Sequence, residues 1–178
     1  MLEKKNIEIL IPTLNEEGNI QETINSLKVE GFNNITIIDD NSSDNTVKIS
    51  KELECNVIEN TTNQRLGFGK SLIKAFSLSS SDYCCIFDGD NSFDPKSLDQ
   101  MISKINDGSK FVFCSRYKDG NESEDDTIIR KLGNYFFTKI GNIFYNVKIT
   151  DILYTFVLGR TKKIKKLNLK QSDFSFCV

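Results

Sequence analysis

Short runs of β-branched and other apolar residues alternate along this chain with stretches whose apolar positions recur every three or four residues. That alternation predicts parallel strands joined by crossover helices. IEILIP (7–12) predicts a first strand, and the next segment puts Ile20, Ile24 and Leu27 on one helical face before Gly31 ends it. NITIIDD (34–40) predicts a second strand, SDNTVKISKEL a helix, CNVIEN a third strand and RLGFGKSLIKAFSLS a further helix. DYCCIFD (82–88) is a fourth strand. Asp94 then caps a helix with Pro95 in its first turn, and Leu98, Met101, Ile102 and Ile105 make its apolar face. KFVFCSRY (110–117) predicts a fifth strand. The acidic stretch 118–126 is almost free of apolar residues, which predicts a surface loop. Beyond it, Ile129, Leu132, Phe136, Ile140, Ile143 and Val147 predict a long amphipathic helix with its apolar face in the core. DILYTFVLG reads as another strand and RTKKIKKLNLK as a short basic helix. The fold class expected is α/β, a mainly parallel sheet flanked by helices.

Length and composition narrow this. The 178 residues make one domain, with no repeat or linker, large enough to bury a core unaided. Acids and bases are interspersed and the net charge is -2, which excludes nucleic acid as a bulk partner because a phosphate-tracking surface needs a basic excess. There is no histidine, so the commonest general base and usual zinc ligand are absent and any chemistry falls to carboxylates, cations, hydroxyls or a metal. Cys55, Cys84, Cys85, Cys114 and Cys177 show no CxxC spacing and are expected to be free thiols in a reducing compartment. No apolar run reaches the roughly 20 residues that span a bilayer, and the N-terminus enters a strand directly. The expected location is cytoplasmic, or peripheral at the cytoplasmic membrane face.

In an open parallel sheet, ligands bind beyond the carboxyl ends of the strands. The residues there are Thr13, Asn15 and Glu16, then Asp39 and Asp40, then Asp88 and Asp90, then Ser115 and Arg116. In IFDGDNSFDP (86–95) the two acids one residue apart point to the same side of an extended backbone, and Gly89 leaves room for a ligand to approach it. Two oxygen donors with open positions suit Mg2+ or Mn2+, which keeps waters and takes substrate phosphates as further ligands. The competing reading has Asp88 and Asp90 cap a turn and a helix, as Asp39 and Asp40 also can. GFG (67–69) serves equally as a packing turn or as a loop beside a ligand. Arg116 and Arg130 suit bidentate phosphate recognition, although Arg130 can instead pair with the acidic loop.

ILIPTLNEEGNI, IIDDNSSDNT, RLGFGKSLIKAF, DYCCIFDGDNSFDP and CSRY follow one another in an order and spacing that resembles family 2 glycosyltransferases of the GT-A fold. Within them the chain is most similar to the dolichol-phosphate mannosyltransferase and polyprenyl-phosphate glycosyltransferase branch. The resemblance implies one catalytic domain over 1–178, with a nucleotide-binding half (1–95) and an acceptor half (96–178) expected to be shortened at its C-terminus. It implies that Pro12, Leu14 and Glu16 border the nucleotide, that Ile38 and Asp40 contact the base and its neighbourhood, and that Gly89 sits beside the ribose. Asp88 and Asp90 become the metal-binding DXD pair, with Ser92 at a third metal-proximal position. Arg116 and Arg130 match arginines that hold the acceptor phosphate, Asn134 lies one helical turn on, and Asp151 matches the acid of a later D-x-x-x-G-F motif. Leu14 stands where an aromatic is usual, Ser92 where glutamine is frequent, and Thr155 in place of that motif's glycine.

The implied activity is inverting transfer of a sugar from a GDP- or UDP-sugar to a polyprenyl or dolichyl phosphate. A lipid phosphate is already deprotonated and needs no general base, which suits a chain without histidine. A saccharide hydroxyl acceptor would instead require a carboxylate such as Asp151 to take the proton. A non-catalytic sugar-nucleotide or protein-binding module is the alternative of another class. A nucleotidyltransferase would show a Gly-rich loop after the first strand, and a dinucleotide enzyme its own fingerprint; neither is present. The apolar face of 128–147 and KKIKK (162–166) could together form a membrane edge if they are not a core helix and a solvated turn.

Overall fold

Strand β1 (Ile7–Thr13) is apolar at nearly every position because both of its faces are covered. Ile7, Ile9 and Ile11 enter one layer, where α1 (Ile20–Val29), α2 (Thr46–Glu52) and α4 (Ser97–Asn106) pack; Leu10 enters the other, against α3 (Phe68–Leu78) and α6 (Thr161–Lys166). The computed structural model describes residues 1–117 and 128–170, with the side chains of 128–130 left out. The acidic stretch 118–126 and Cys177 lie outside the described residues.

β2 (Ile35–Asp39), β3 (Asn56–Glu59), β4 (Tyr83–Ile86), β5 (Phe111–Phe113) and β6 (Val157–Arg160) complete a sheet of order β3-β2-β1-β4-β6-β5. β1, β2, β3 and β4 are mutually parallel. β6 runs antiparallel to both β4 and β5, so β5 shares the direction of β4. The carboxyl ends of β1, β2, β4 and β5 therefore lie along one edge, as the pattern predicts. The sequence pattern does not predict that β6 inserts between β4 and β5, or that it is short: residues 151–156 are irregular and only Val157–Arg160 joins the sheet.

Beneath the end of β4, Phe87, Phe93 and Phe156 form a buried aromatic cluster, with ring centroids 5.3, 5.2 and 4.8 Å apart. These rings fix the turn that follows β4. On the β5–β6 edge, a Cβ at Gly159 would sit 2.5 Å from Phe111 Cδ1. Gly159→Val is expected to destabilise the domain by about 1–3 kcal/mol through overpacking, read as a lowered thermal midpoint.

The long helix corrects the expectation of a core-facing apolar stripe. α5 (Ile128–Tyr145) buries Asn134, Thr138 and Gly141, whereas Leu132, Phe136 and Ile143 are 64%, 62% and 78% exposed. The polar side wins because residues 149–152 need partners. Asn142 exchanges two hydrogen bonds with the Ile149 backbone, Thr138 Oγ1 accepts one from the Ile152 amide, and Gly141 lets the Ile152 side chain approach. α6 is the short basic helix the sequence predicts. Its first amide, Thr161 N, donates to Asp82 O at the amino end of β4, so KKIKK lies at the edge of the sheet opposite Asp88. Lys165 Nζ caps carbonyls at the C-terminal end of α3, Ser77 O (3.1 Å) and Ser79 O (2.9 Å).

Candidate active site

Phe87 N donates to Leu10 O, the last bond that ties the β4 chain to β1, and the backbone then leaves the sheet at Asp88. The turn holds itself: Asp88 Oδ1 accepts from Gly89 N and Asp90 Oδ1 from Ser92 N, both at 2.9 Å, while Asn91 adopts the left-handed conformation at φ 63°. Asn15 (φ 59°) and Asn41 (φ 65°) do the same after β1 and β2. Asparagine tolerates that region, which explains why each of these three strand ends carries one.

A Cβ at Gly89 would lie 3.4–3.5 Å from side-chain carbons of Ile11, Thr13 and Glu16, so the glycine seats the turn closely on β1. That packing brings Glu16 to the acid pair. Burial, then the negative charge of Asp90, then that of Glu16 push the Asp88 carboxyl from 3.8 to about 6. Burial, followed by Asp90, also raises Glu16. Neither Asp88 nor Asp90 forms an ion pair among the described residues. This uncompensated negative charge on hard oxygen donors fits a divalent cation. Among the described residues no three His, Cys, Asp or Glu side chains are arranged to hold a metal, so a cation here would draw its remaining ligands from substrate and water. Ser92 is exposed and its amide orients Asp90.

In metal-free protein, Asp88 in the unfolded chain loses its proton near 3.8, while the folded state keeps it up to about 6. The folded state thus binds more protons between these values, and stability should fall as pH rises from about 4 to about 6. Mn2+ should oppose that loss at the upper end; urea melts across the range with and without the ion check both signs.

The acids after β2 have other work. Asp39 accepts from Thr13 Oγ1, Ser42 Oγ and Ser42 N, the turn-capping role. Asp40 is buried, and its carboxylate accepts from Leu66 N (2.7 Å), Gly67 N (2.8 Å) and Asn60 Nδ2 (2.9 Å). Asp40 therefore staples the loop before α3, and Gly67, at φ 82°, is the anchored turn that starts the helix. Pro12 and Leu14 are half-buried at the end of β1, while Ile38 is in the core with Leu10 and Leu72.

The third group is cationic. Arg116 binds Asp151 through Nε (2.8 Å) and Nη2 (3.0 Å), and its backbone amide also reaches that carboxylate. Asn134 Nδ2 donates to Asp151 Oδ1 at 2.8 Å. With its side chain wholly buried and both oxygens engaged, Asp151 is a brace for Arg116, which weighs against the proton-acceptor role considered for it. Arg130 lies in the first turn of α5 and its side chain is outside the described part. Tyr154 is a residue that sequence reasoning passes over. Its ring lies 5.1 Å from the Arg116 guanidinium and 4.7 Å from Phe93. Burial raises its phenol above the ordinary range. Its place three residues after Asp151 is the only signal the sequence offers.

The profile of Glycosyl transferase family 2 matches residues 8–167. A UDP-N-acetylglucosamine–dolichyl-phosphate N-acetylglucosaminyltransferase of Methanococcus voltae is 32% identical over 167 residues, covering 83% of this chain and 66% of that protein. An uncharacterized protein of Methanocaldococcus jannaschii is 30% identical over 152 residues, covering 84% of this chain and 63% of its own length. The chain thus spans somewhat under two thirds of each relative. Among solved structures, glucosyl-3-phosphoglycerate synthase from Mycobacterium tuberculosis, in complex with Mn2+, UDP-glucose and phosphoglyceric acid, superposes with a TM-score of 0.69 at 18% identity over 89% of this chain and 57% of that one. The sheet order, the acidic turn after β4 and the matched span together place this chain, with its GT-A fold, in glycosyl transferase family 2.

Proposed function

We propose that this domain transfers a sugar from a nucleoside diphosphate sugar to a polyprenyl or dolichyl phosphate, with inversion at the anomeric carbon. One observation carries the reading: an uncompensated acid cluster, Asp88, Asp90 and Glu16, shares one edge of the sheet with an arginine braced by a buried carboxylate. The first suits a cation-bound diphosphate and the second an anionic acceptor. The Methanococcus relative is named for a UDP-sugar and dolichyl phosphate, which supports both halves.

Asp88 and Asp90 would hold Mg2+ or Mn2+, which supplies Lewis-acid neutralisation of the departing diphosphate. Pro12, Leu14, Glu16 and the loop stapled by Asp40 border the nucleotide. Arg116, with Arg130, grips the acceptor phosphate, while Asn134 and Asp151 fix the direction of the guanidinium. A phosphate oxygen attacks the anomeric carbon from the face opposite the leaving group; the C–O bond to the diphosphate breaks, and no proton has to be removed. That balance suits a site in which Asp151 is already engaged by Arg116 and Asn134. A lipid acceptor puts the reaction at a membrane face.

The test is nucleotide release from a panel of UDP- and GDP-sugars with Mn2+, with and without polyprenyl phosphate. Release that requires the lipid phosphate supports the proposal. Equal release with a saccharide acceptor moves it to hydroxyl transfer, and donor binding without release reduces the domain to a binding module.

A further inference from the structure

We infer that Thr23 of α1 is a positioning residue for the acid turn: through the Gly89 carbonyl it holds Asp88 and Asp90 in the arrangement that takes a divalent cation. Ile20, Thr23, Ile24 and Leu27 make the buried face of α1, and Thr23 is its polar member, with no exposure. A valine would fill that position as well, and a hydroxyl removed from water costs free energy unless it is hydrogen-bonded. Thr23 Oγ1 donates to Gly89 O at 3.2 Å, across 66 positions of the chain and at the residue between the two acids.

Gly89 is thereby fixed in three directions. Its amide donates to Asp88 Oδ1, its carbonyl accepts from Thr23, and side chains of Ile11, Thr13 and Glu16 close the side where a Cβ would stand. The ends of the turn are pinned separately. Phe87 N is bonded to Leu10 O, and the Phe87 and Phe93 rings pack edge to face with centroids 5.3 Å apart. Between these anchors, Thr23 holds the middle of the turn from α1.

Peptide planarity carries that hold to the second acid. The plane that contains the Gly89 carbonyl also contains the Asp90 Cα, so directing the carbonyl at Thr23 sets where one carboxylate stands relative to the other. Gly89 is buried. Without the hydroxyl its carbonyl would lose this partner, and the plane would gain by turning out to water and moving Asp90 with it. The inference rests on the metal-binding reading of Asp88 and Asp90 above and deepens it, since Thr23 acts through Gly89 from outside the strand ends that carry the acids.

The experiment is Mn2+ titration of the 178-residue chain in the presence of UDP, followed by water-proton relaxation, which reports protein-bound Mn2+. Five chains are compared: the parent, Thr23→Val and Thr23→Ala, which lack the hydroxyl, Thr23→Ser, which keeps it, and Ile24→Val, a packing control on the same buried face. Removing the hydroxyl should weaken Mn2+ binding about tenfold, as losing a hydrogen bond that orients a ligand residue does, while Thr23→Ser should stay within about twofold of the parent. Hydrogen exchange of the metal-free protein gives a second readout. The Gly89 and Ser92 amides, which donate to the two carboxylates, should exchange several-fold faster in Thr23→Val and Thr23→Ala alone. Ile24→Val should lower the thermal midpoint and move neither quantity. Mn2+ binding equal to the parent's in the variants without the hydroxyl overturns the inference. So does a loss that Thr23→Ser or Ile24→Val shares, which makes Thr23 a packing residue. No Mn2+ binding by the parent removes the metal reading and the inference with it, whereas binding that depends on Thr23, with no nucleotide released from any donor, removes the transferase proposal alone.

Discussion

Asp90→Asn is expected to lower Mn2+-supported nucleotide release by roughly 10²–10³-fold while leaving the fold intact. Asp90 is exposed, and the hydrogen bond its Oδ1 accepts from the Ser92 amide is one that an asparagine oxygen can still accept. The turn should therefore persist, with the charge alone removed. Because Asp90 is one of the groups that raise Asp88, the variant should also let the Asp88 carboxyl ionise at lower pH. Two readouts follow from initial rates at varied Mn2+ and pH: the ion concentration for half-maximal rate rises, and the acid limb of the profile moves down. Unchanged turnover with unchanged metal dependence would remove Asp90 from the site. The Asp88 change should cost at least as much, since its carboxyl is the more buried of the two.

The second large effect belongs to Asp151. Asp151→Asn should raise the half-saturating concentration of a polyprenyl phosphate by one to two orders of magnitude and destabilise the domain. An asparagine cannot receive two guanidinium N–H groups and the Asn134 amide together, so Arg116 is left partly desolvated and free to swing. Breaking a buried ion pair costs about 3–5 kcal/mol, and with the Arg116 side chain 26% exposed the lower part of that range applies. Because Asp151 acts here through Arg116, the variant's pH–rate profile should keep its shape. A brace and a base part company on that measurement: loss of one limb of the profile with a saccharide acceptor would make Asp151 the proton acceptor after all. Arg116→Lys should not rescue binding, since an ammonium offers a point charge where the carboxylate is met by a planar fork.

Much of the fold was legible in the sequence because it depends on local periodicity. IEILIP, NITIIDD and DYCCIFD are strands for the reason their composition indicates, burial on both faces. The acids, Asn15, Asn41 and Asn91 stand at strand ends because a chain leaving a sheet needs residues that turn and cap. The edge that carries the candidate site was legible too, since parallel strands put their carboxyl ends together. The order β4-β6-β5 was not, because antiparallel insertion of four residues leaves no periodic trace. The Asp151–Arg116 pair spans 35 positions, and its bidentate geometry exists only once 151–156 passes beside β5. The division of labour among the acids was also a tertiary matter. Asp40 and Asp88 look alike as strand-end carboxylates, but one meets three donors from a loop and the other meets two further acids.

The sequence by itself determined the α/β alternation, the edge of the sheet where the strand-end acids gather and the amphipathic character of α5, all of which follow from residue type and spacing. Only the tertiary structure decided which side of α5 faces inward. An amphipathic pattern defines two faces but not their partners; here the backbone of 149–152 and the Asp151 carboxylate required hydrogen bonds, and the side of the helix able to supply them was the polar one.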